Sequence, residues 1–341
     1  MAGTARRPVE RPAERGAAEP GAPGGGVVAV GVDGSPQSLT AAEWAADEAL
    51  RSGRALRIVQ VWDPPAAATV RPDAVASHRR WAEQRLDAAR RTAGERAPGV
   101  EIAVERVEGA AVRTLSEQEA EVLVLGSRGL AGMSGRLVGS VGLAVVTHAA
   151  RPVVLVRDGG DGPVGRPGDE GPVVLGIDVR HHGDPLLAFA FRAAADRGAL
   201  LDVVYAWNPK RVYGYAAAPL DGDLTEEYQE QEEADLARVL APWREAYPGV
   251  AVAERVVHGS AAHELITASG DAALLVTGHR RPRPAHPARL GHVTHGVVHH
   301  APCPVAVVPH DGQAGEAGDA GGAGEASGAP SADGGTARAA A

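Results

Sequence analysis

The segment of clearest chemical meaning is a glycine-rich stretch that directly follows a short apolar run. Gly126 and Gly129 open this stretch, and Gly139 and Ser140 come after nine further residues, just before a second apolar run. Glycine lets the backbone turn sharply and approach a ligand closely. A helix that begins here would direct free N–H groups and its dipole toward an anion, and the Ser140 hydroxyl would add a hydrogen bond. The pattern therefore predicts a loop that binds phosphate groups.

The same stretch differs from the two most familiar phosphate-binding motifs. A Walker A loop needs Gly-Lys-Ser or Gly-Lys-Thr after its glycines, and no such triplet occurs in this chain. The dinucleotide-binding fingerprint follows the first strand of its domain, whereas these glycines follow the fourth predicted strand. A glycine-rich connection that binds nothing is the alternative that the motif alone leaves open.

A carboxylate and a backbone edge complete the predicted site. Asp33 follows Gly31 at the end of the first predicted strand, and Val61 ends the second. In a doubly wound sheet the ends of strands one and four adjoin the same crevice. A carboxylate there can accept hydrogen bonds from ribose hydroxyls or a base amine, and the Val61 backbone can meet an adenine edge. Taken alone, Asp33 would serve equally well as the N-cap of the following helix.

These residues need a parallel sheet to bring them together, and the hydrophobic pattern predicts one. Apolar runs rich in Val, Ile and Leu alternate with longer amphipathic segments, as in strands that are covered on both faces. Ser35 and Pro36 suit the start of the first helix, and Gly53 suits its end. This order predicts an α/β domain with a doubly wound sheet. Strands are predicted at 27–32, 55–61, 100–107, 121–125 and 152–156, and helices at 36–53, 73–96, 110–119 and 139–149.

The second half of the chain repeats the first. The sequence separation between Asp33 and Asp178 equals that between Trp62 and Trp207, and the flanking apolar runs are alike. A long repeat in fixed order indicates a duplicated domain. The chain therefore divides into a disordered tail (1–25), a first domain (26–157), a Gly/Asp/Pro linker (158–171), a second domain (172–310) and a disordered tail (311–341).

The second domain keeps part of the site pattern and alters the rest. Asp178 and Gly278 are retained, whereas Arg281 replaces the second glycine and Gly291 is followed by His292 instead of serine. A long side chain blocks close approach of the backbone, and the prolines of this loop each remove an N–H donor. Two interpretations stay open: the second site is degenerate and does not bind ATP, or its basic side chains hold a different anion.

Histidines concentrate just after this second loop, and one cysteine follows them. His292, His295 and His299 share one helical face, and imidazole is a common metal ligand. No acidic residue joins them in sequence, so we expect a polar helix face and no metal site. Cys303 is expected to pack as a small apolar side chain.

At these residues the sequence resembles the universal stress protein family. The resemblance rests on GVDGSPQS, on the strand ending QVW, on G-x2-G-x9-G-S followed by HAARPVVLV, and on HHAPCPVAVVP. It covers about residues 27–157 and 172–309. It implies two Rossmann-like domains of the adenine nucleotide alpha hydrolase type, each with a five-stranded parallel sheet. Their fifth strands would pair across a two-fold, giving an internal pseudo-dimer.

The family's ATP-binding branch supplies expected roles for the matching residues. By that resemblance, Asp33 and the Val61 backbone would hold adenosine. Arg128 lies within the loop and would add charge or remain a solvated surface residue. The expected ligand is ATP, with or without Mg²⁺. The phosphates would be held by Gly126, Gly129, Gly139, Ser140 and the Val141 backbone.

Composition and missing motifs narrow the class of function. The formal net charge of −9 argues against a nucleic-acid binder. Neither a long apolar run nor a signal peptide occurs, so we expect a cytoplasmic protein without a membrane span. Because no nucleophile–base pair stands out, we expect a nucleotide-responsive stress protein that is not an enzyme, with an unidentified protein partner. A scaffold with a vestigial cleft and a slow ATPase are the alternatives, and further dimerisation of the chain stays open.

Overall fold

The computed structural model describes residues 26–62, 72–127, 139–157, 171–207, 222–281 and 289–311. Strands and helices alternate through both halves of the chain. The first half contains β1 (Val27–Gly31), α1 (Pro36–Ser52), β2 (Ala55–Trp62), α2 (Pro72–Arg96), β3 (Ile102–Glu108), α3 (Ala111–Ser116), β4 (Val122–Ser127), α4 (Ser140–His148) and β5 (Val153–Arg157). The second half contains β6 (Val173–Gly176), α5 (Asp184–Arg197), β7 (Leu201–Trp207), α6 (Gly222–Ala246), β8 (Val252–His258), α7 (Ala261–Ala268), β9 (Leu274–Arg280), α8 (His292–His300) and β10 (Val305–His310).

All these strands form one ten-stranded sheet in the order β3-β2-β1-β4-β5-β10-β9-β6-β7-β8. The strands of each half are parallel to one another, whereas β5 and β10 pair antiparallel, with Ala306 opposite Val154. The predicted α/β class, the two doubly wound sheets and their junction through the fifth strands are thus confirmed. Because β5 and β10 protect each other's edge, the apolar edge of neither half is left open there.

Two helical layers enclose this sheet. The side chains of α1, α2, α5 and α6 pack on one face, and those of α3, α4, α7 and α8 pack on the other. Each central strand is therefore covered on both sides, which explains its nearly uninterrupted apolar sequence. None of the described helices is both long and apolar enough to cross a bilayer.

Helix α1 shows how local signals set the elements that frame the crevice. Ser35 adopts an extended conformation, and its hydroxyl accepts a hydrogen bond from the Ser38 amide at 3.3 Å. The helix ends at Gly53, whose φ of 65° lies in the left-handed region that glycine favours. A stripe of mainly alanine packs on the sheet, with Trp44 filling its widest part.

The element boundaries differ from the predicted ones mainly at α3. This helix was predicted over 110–119 but covers only Ala111–Ser116, since the chain turns back toward the sheet after Leu115 packs into the core. It has six residues against eight in α7, in agreement with the sequence, where the spacing from Gly109 to Gly126 is two residues shorter than that from Gly259 to Gly278. Other predicted boundaries lie within two residues of the observed ones.

Candidate functional site

The first crevice opens where the neighbouring strands β1 and β4 end. The chain leaves β1 toward α1 on one face of the sheet and leaves β4 toward α4 on the other. Divergence of this kind separates the two connections and creates the usual ligand crevice of open α/β sheets. The predicted binding residues at the ends of β1, β2 and β4 are therefore gathered at one edge.

Asp33 lies at this edge as an exposed carboxylate tied to the loop that follows it. One of its oxygens accepts hydrogen bonds from the Ser35 amide at 2.9 Å and the Ser35 hydroxyl at 2.6 Å. Partial burial opposes ionisation, but the Ser35 hydrogen bonds outweigh it, and the pKa of Asp33 lies below its usual value. The N-cap of α1 is Ser35, so Asp33 holds the capping residue in place and presents a negative charge to the crevice.

Val61 presents backbone groups toward the same place. The Val59 carbonyl accepts a hydrogen bond from the Val32 amide on the β1 side, and the Trp62 carbonyl accepts one from Gly109 on the β3 side. The N–H and C=O groups of successive residues in a strand point to opposite sides. Those of Val61 therefore point the same way as those of Val59, toward β1. Because β1 has already ended at Gly31, these groups face the crevice.

Two glycines of the predicted site are explained by packing within the protein. A Cβ atom on Gly31 would lie 2.6 Å from Leu125, and one on Gly126 would lie 2.5 Å from the Gln37 carbonyl oxygen in the first turn of α1. Gly126 is also an ordinary strand residue, paired with Val156, and not the start of a sharp turn. The expectation that Gly126 serves a turn is therefore wrong, because its missing side chain lets α1 pack against β4.

Gly139 differs, since no packing among the described residues requires it. It is the N-cap of α4 with a φ of −58°, and an added Cβ would meet no atom of the described residues within 4 Å. Ser140 begins the helix, and Val141 in its first turn is 40% exposed. No side chain of the described residues caps the first turn of α4, whose N–H groups suit an anion. Arg128 and Gly129 lie outside the described residues.

Two side chains of α2 that the sequence did not single out also reach this edge. The Arg85 guanidinium donates to the Asp33 carbonyl at 2.7 Å and lies 3.2 Å from the centre of the Trp81 ring. It crosses Gly34, whose φ of 76° and missing side chain make room for it. A cation stacked on an indole is thus held against the Asp33 backbone. The sequence shows a glycine at position 34, but no sequence pattern predicts its contact with Arg85 of α2.

The second crevice is arranged differently around Asp178. This carboxylate accepts from the Arg180 amide at 3.1 Å and lies 3.2 Å from Nδ1 of His181. Arg180 stands where the first domain has its capping serine, and its guanidinium contacts Glu232 at 2.5 Å. Glu232 is buried and also accepts from the Tyr205 hydroxyl at 2.8 Å. The loop is therefore anchored to α6 by an internal ion pair.

His310 fills space in the second domain that a helical turn fills in the first. A Cβ on Gly278 would lie 2.6 Å from its Nε2, and one on Gly183 would lie 2.8 Å from its Cβ. Helix α5 accordingly begins only at Asp184, later than the corresponding α1. The retained Gly278 therefore reflects packing against His310, as Gly126 reflects packing against α1.

The other predicted residues of the second site are separated. Arg281 donates to the Ala150 carbonyl of the first domain at 2.9 Å and lies 3.5 Å from Asp311. Gly291 caps α8 as Gly139 caps α4, with no described atom within 4 Å of an added Cβ, and the exposed His292 follows. An anion at α8 would thus meet His292, whereas Arg281 is engaged at the junction of the domains.

The histidine cluster and the cysteine belong to the packing of α8 and β10. The rings of His295 and His299 lie 4.4 Å apart, and His299 is buried. Within the described ranges no three His, Cys, Asp or Glu residues come together as metal ligands would. Cys303 is buried, as expected, and burial raises the pKa of its thiol to about 12.

The family model and the curated relatives place the chain in one family. The sequence model described as the universal stress protein family matches residues 26–157 and 171–309. Universal stress protein Rv1996 of Mycobacterium tuberculosis is 32% identical over 309 residues, which cover 83% of this chain and 96% of the relative. Universal stress protein Rv2623 of the same species is 32% identical over 262 residues, which cover 74% of this chain and 86% of the relative.

Solved structures show the same fold. The crystal structure of a universal stress protein from Archaeoglobus fulgidus superposes with a TM-score of 0.61 at 19% identity, and the match covers 83% of this chain and 98% of that one. A putative universal stress protein from Pseudomonas aeruginosa superposes with a TM-score of 0.54 at 15% identity, with 84% and 93% covered. At such identities the likeness concerns the fold alone.

Proposed function

The chain belongs to the universal stress protein family, and we propose that its first domain binds an adenine nucleotide. The proposed ligand is ATP, with or without Mg²⁺. The nucleotide would bind in the crevice between β1 and β4 and alter how the chain meets a protein partner under stress. The protein would act in the cytoplasm as a nucleotide-responsive binding protein, not as an enzyme.

The observation that carries this proposal is the open first turn of α4. Neighbouring atoms require glycine at positions 31 and 126, but no atom of the described ranges lies close enough to require Gly139. A glycine that packing does not need, at an uncapped helix N-terminus, suits a phosphate group that approaches the backbone closely. The helix dipole favours negative charge at this end.

Groups suited to a nucleoside stand at the other end of the same crevice. The ionised Asp33 carboxylate is a hydrogen-bond acceptor for ribose hydroxyls, and the Val61 backbone is directed toward the space an adenine edge would occupy. Arg85, stacked on Trp81, adds a positive charge beside them. An acceptor for hydroxyl groups and donors for phosphate are thus separated along one crevice.

The proposal is limited to the first domain because the second crevice satisfies its own charges. Arg180 is paired with Glu232, and Arg281 is bonded to Ala150 and Asp311. The second domain would then serve mainly as the structural partner of the first.

Two matched substitutions test the proposal. Gly139→Asp places a carboxylate at the mouth of α4, and Gly291→Asp places the same group at the mouth of α8. Neither added Cβ comes within 4 Å of an atom in the part of the chain that the structure describes, and aspartate is a good N-cap, so both variants should fold. We expect Gly139→Asp to weaken ATP binding by about 100-fold, or about 3 kcal/mol, in calorimetric titration of the full chain.

Gly291→Asp should leave ATP affinity within about twofold of the wild type, since a charge in the second crevice is remote from the proposed site. ATP should also raise the melting temperature of the wild type and of Gly291→Asp, because a ligand that binds only the folded state stabilises it. A wild-type chain that does not bind ATP at millimolar concentration would contradict the proposal and favour the scaffold. ATP turnover abolished by Asp33→Ala would instead favour the slow ATPase.

A further inference from the structure

A separate cavity lies in the first domain between α3 and the end of α4, on the face of the sheet opposite α1. Its volume is about 650 Å³, and Val112 and Ala150 are among the apolar residues that line it. Cavities that hold small organic molecules have a similar size and a largely apolar lining. This cavity is lined by none of the residues assigned to the nucleotide.

Its polar groups are incompletely satisfied by the protein. The Ser116 hydroxyl is buried without a hydrogen-bond partner in the described part of the chain. The Arg151 guanidinium donates to the Ala120 carbonyl at 3.0 Å, but no carboxylate among the described residues lies within ion-pair distance of it. The buried Ser116 hydroxyl without a partner costs free energy. Arg151 is exposed, so its guanidinium is accessible to an anion.

The charge around the cavity favours an anion. Of the two arginines that line the cavity, Arg113 forms an ion pair with Glu117 at 3.0 Å. Arg151 is therefore the lining arginine without a carboxylate partner among the described residues. Arg281 of the second domain donates to the carbonyl of Ala150, a residue of the cavity wall, and so brings another guanidinium to this region. His148 also lines the wall, with Nδ1 bonded to the Ala144 carbonyl at 2.7 Å.

The duplicated domain provides an internal comparison. At the position of Ser116 the second domain has Ile266, and at the position of Arg151 it has the buried Cys303. The fold therefore accepts apolar residues at both places. The polar pair of the first domain is thus not needed to build the helical layer, and it distinguishes this cavity from the corresponding place in the second domain.

We propose that this cavity between α3 and α4 binds a small amphiphilic carboxylate, with its anionic group on the exposed Arg151 and its apolar body on Val112 and Ala150, beside Ser116. Guanidinium–carboxylate hydrogen bonds are strong and directional, and the apolar residues near Arg151 suit an anion with a compact hydrocarbon portion. The proposal is independent of the nucleotide bound in the β1–β4 crevice.

The test uses 4-(trifluoromethyl)benzoate and its neutral analogue 4-(trifluoromethyl)benzamide as probes. Their binding to the full chain is measured by fluorine NMR titration. The benzoate should bind at least about tenfold more tightly than the benzamide, because only the benzoate can form a charge-assisted pair. Arg151→Gln should weaken benzoate binding at least about tenfold, for the same reason. Ser116→Ile, which copies the second domain, should abolish it.

Arg57→Gln is the matched control. The Arg57 guanidinium donates to the Glu119 carbonyl at 3.1 Å, much as Arg151 donates to the next carbonyl, but Arg57 does not line the cavity. Benzoate affinity should be unchanged in this variant and in Gly139→Asp, and added ATP should not displace the probe. Equal affinity for benzoate and benzamide, unchanged binding in Arg151→Gln and Ser116→Ile, or displacement by ATP would each overturn the proposal.

Discussion

Asp196 illustrates how a single carboxylate can act against the stability of this fold. It lies near the end of α5, where burial and then the Glu48 carboxylate raise its pKa, against the opposing effect of nearby arginines. Just above the usual carboxyl pKa the folded chain therefore binds more protons than the unfolded chain. Any stability from Asp196 is present below the unfolded pKa and is lost as the pH rises through the folded pKa.

We therefore expect Asp196→Asn to raise the melting temperature at pH 7 and to have little effect at pH 3, because only the ionised side chain is penalised. Thermal unfolding of both proteins across this range checks the expectation. Asp87→Asn, on an exposed position of α2, controls for the loss of one negative charge. A stabilisation that is equal at pH 3 and pH 7 would show that charge is not the cause.

Individual residues were predictable where the signal is local. Ser35 was identified as the cap of α1 because serine followed by proline is a short-range pattern, and the structure confirms it. Arg85 and Trp81 were missed because their contacts join a helix to a loop about fifty residues earlier, and no spacing rule encodes such a contact. Gly126 was identified for the wrong reason, since only the structure shows α1 packed against it.

Among the structural elements, the junction of β10 with α5 departs most from its counterpart in the first domain. His310 ends β10 with its side chain buried, and its Nδ1 has no hydrogen-bond partner among the described residues. Burial, followed by the charge of Arg280, lowers the pKa of His310, and burial does the same for His279 on β9. Both rings thus resist protonation while the protein is folded.

For a histidine with a lowered pKa, the stabilising contribution is present above the unfolded value and is lost as the pH falls through the folded one. We expect the melting temperature of the wild type to fall between pH 7.5 and pH 5, and His310→Gln to make that fall shallower. Part of the pH dependence should remain in this variant, because His279 is still present. At pH 7.5, His310→Gln should lower the free energy of unfolding, measured with denaturant, by about 1 kcal/mol, because glutamine packs imperfectly in this space.

His263→Gln serves as the control for this experiment, since His263 is exposed on α7. It should retain the full pH dependence of the wild type. A profile of His310→Gln that overlays the wild-type profile would mean that another group carries the acid sensitivity. Gly183 and Gly278 surround His310, so the prediction concerns the junction of β10 with α5 and not His310 alone.

Element order was largely predictable, because apolar runs and amphipathic segments alternate with clear turn signals. The length of α3 was not, since it depends on where Leu115 meets the sheet. The late start of α5 was not predicted either, because it depends on the space that His310 occupies, and His310 lies more than a hundred residues further along the chain.

At the scale of the whole molecule, the two domains share more than a strand pair. The Glu48 carboxylate of α1 lies 2.6 Å from the Arg197 guanidinium of α5, and the two side chains are only 8% and 4% exposed. Arg51 of α1 contacts the same carboxylate at 2.9 Å. A buried ion pair therefore lies across the boundary between the domains, on the face of the sheet covered by α1 and α5.

Breaking such a pair from one side leaves a buried charge without compensation, whereas removing both partners does not. We expect Glu48→Gln to lower the free energy of unfolding by about 3–5 kcal/mol, because Arg197 stays buried. Glu48→Met combined with Arg197→Met should recover much of this loss. Glu117→Gln, which breaks the exposed pair with Arg113, should cost less than about 1 kcal/mol.

Denaturant unfolding followed by two probes measures these differences and also tests the coupling of the domains. Trp44 lies in α1 and Trp207 ends β7, and both are buried, so variants retaining only one of these tryptophans report on one domain each. Because β5, β10 and the Glu48–Arg197 pair link the halves, both probes should show one coincident transition in the wild type. In Glu48→Gln the linkage is weakened at only one of several contacts, since Arg281–Ala150 and the β5–β10 pair remain, and both transitions should shift together. Separate midpoints in the wild type would contradict the view that the two domains fold as a single unit.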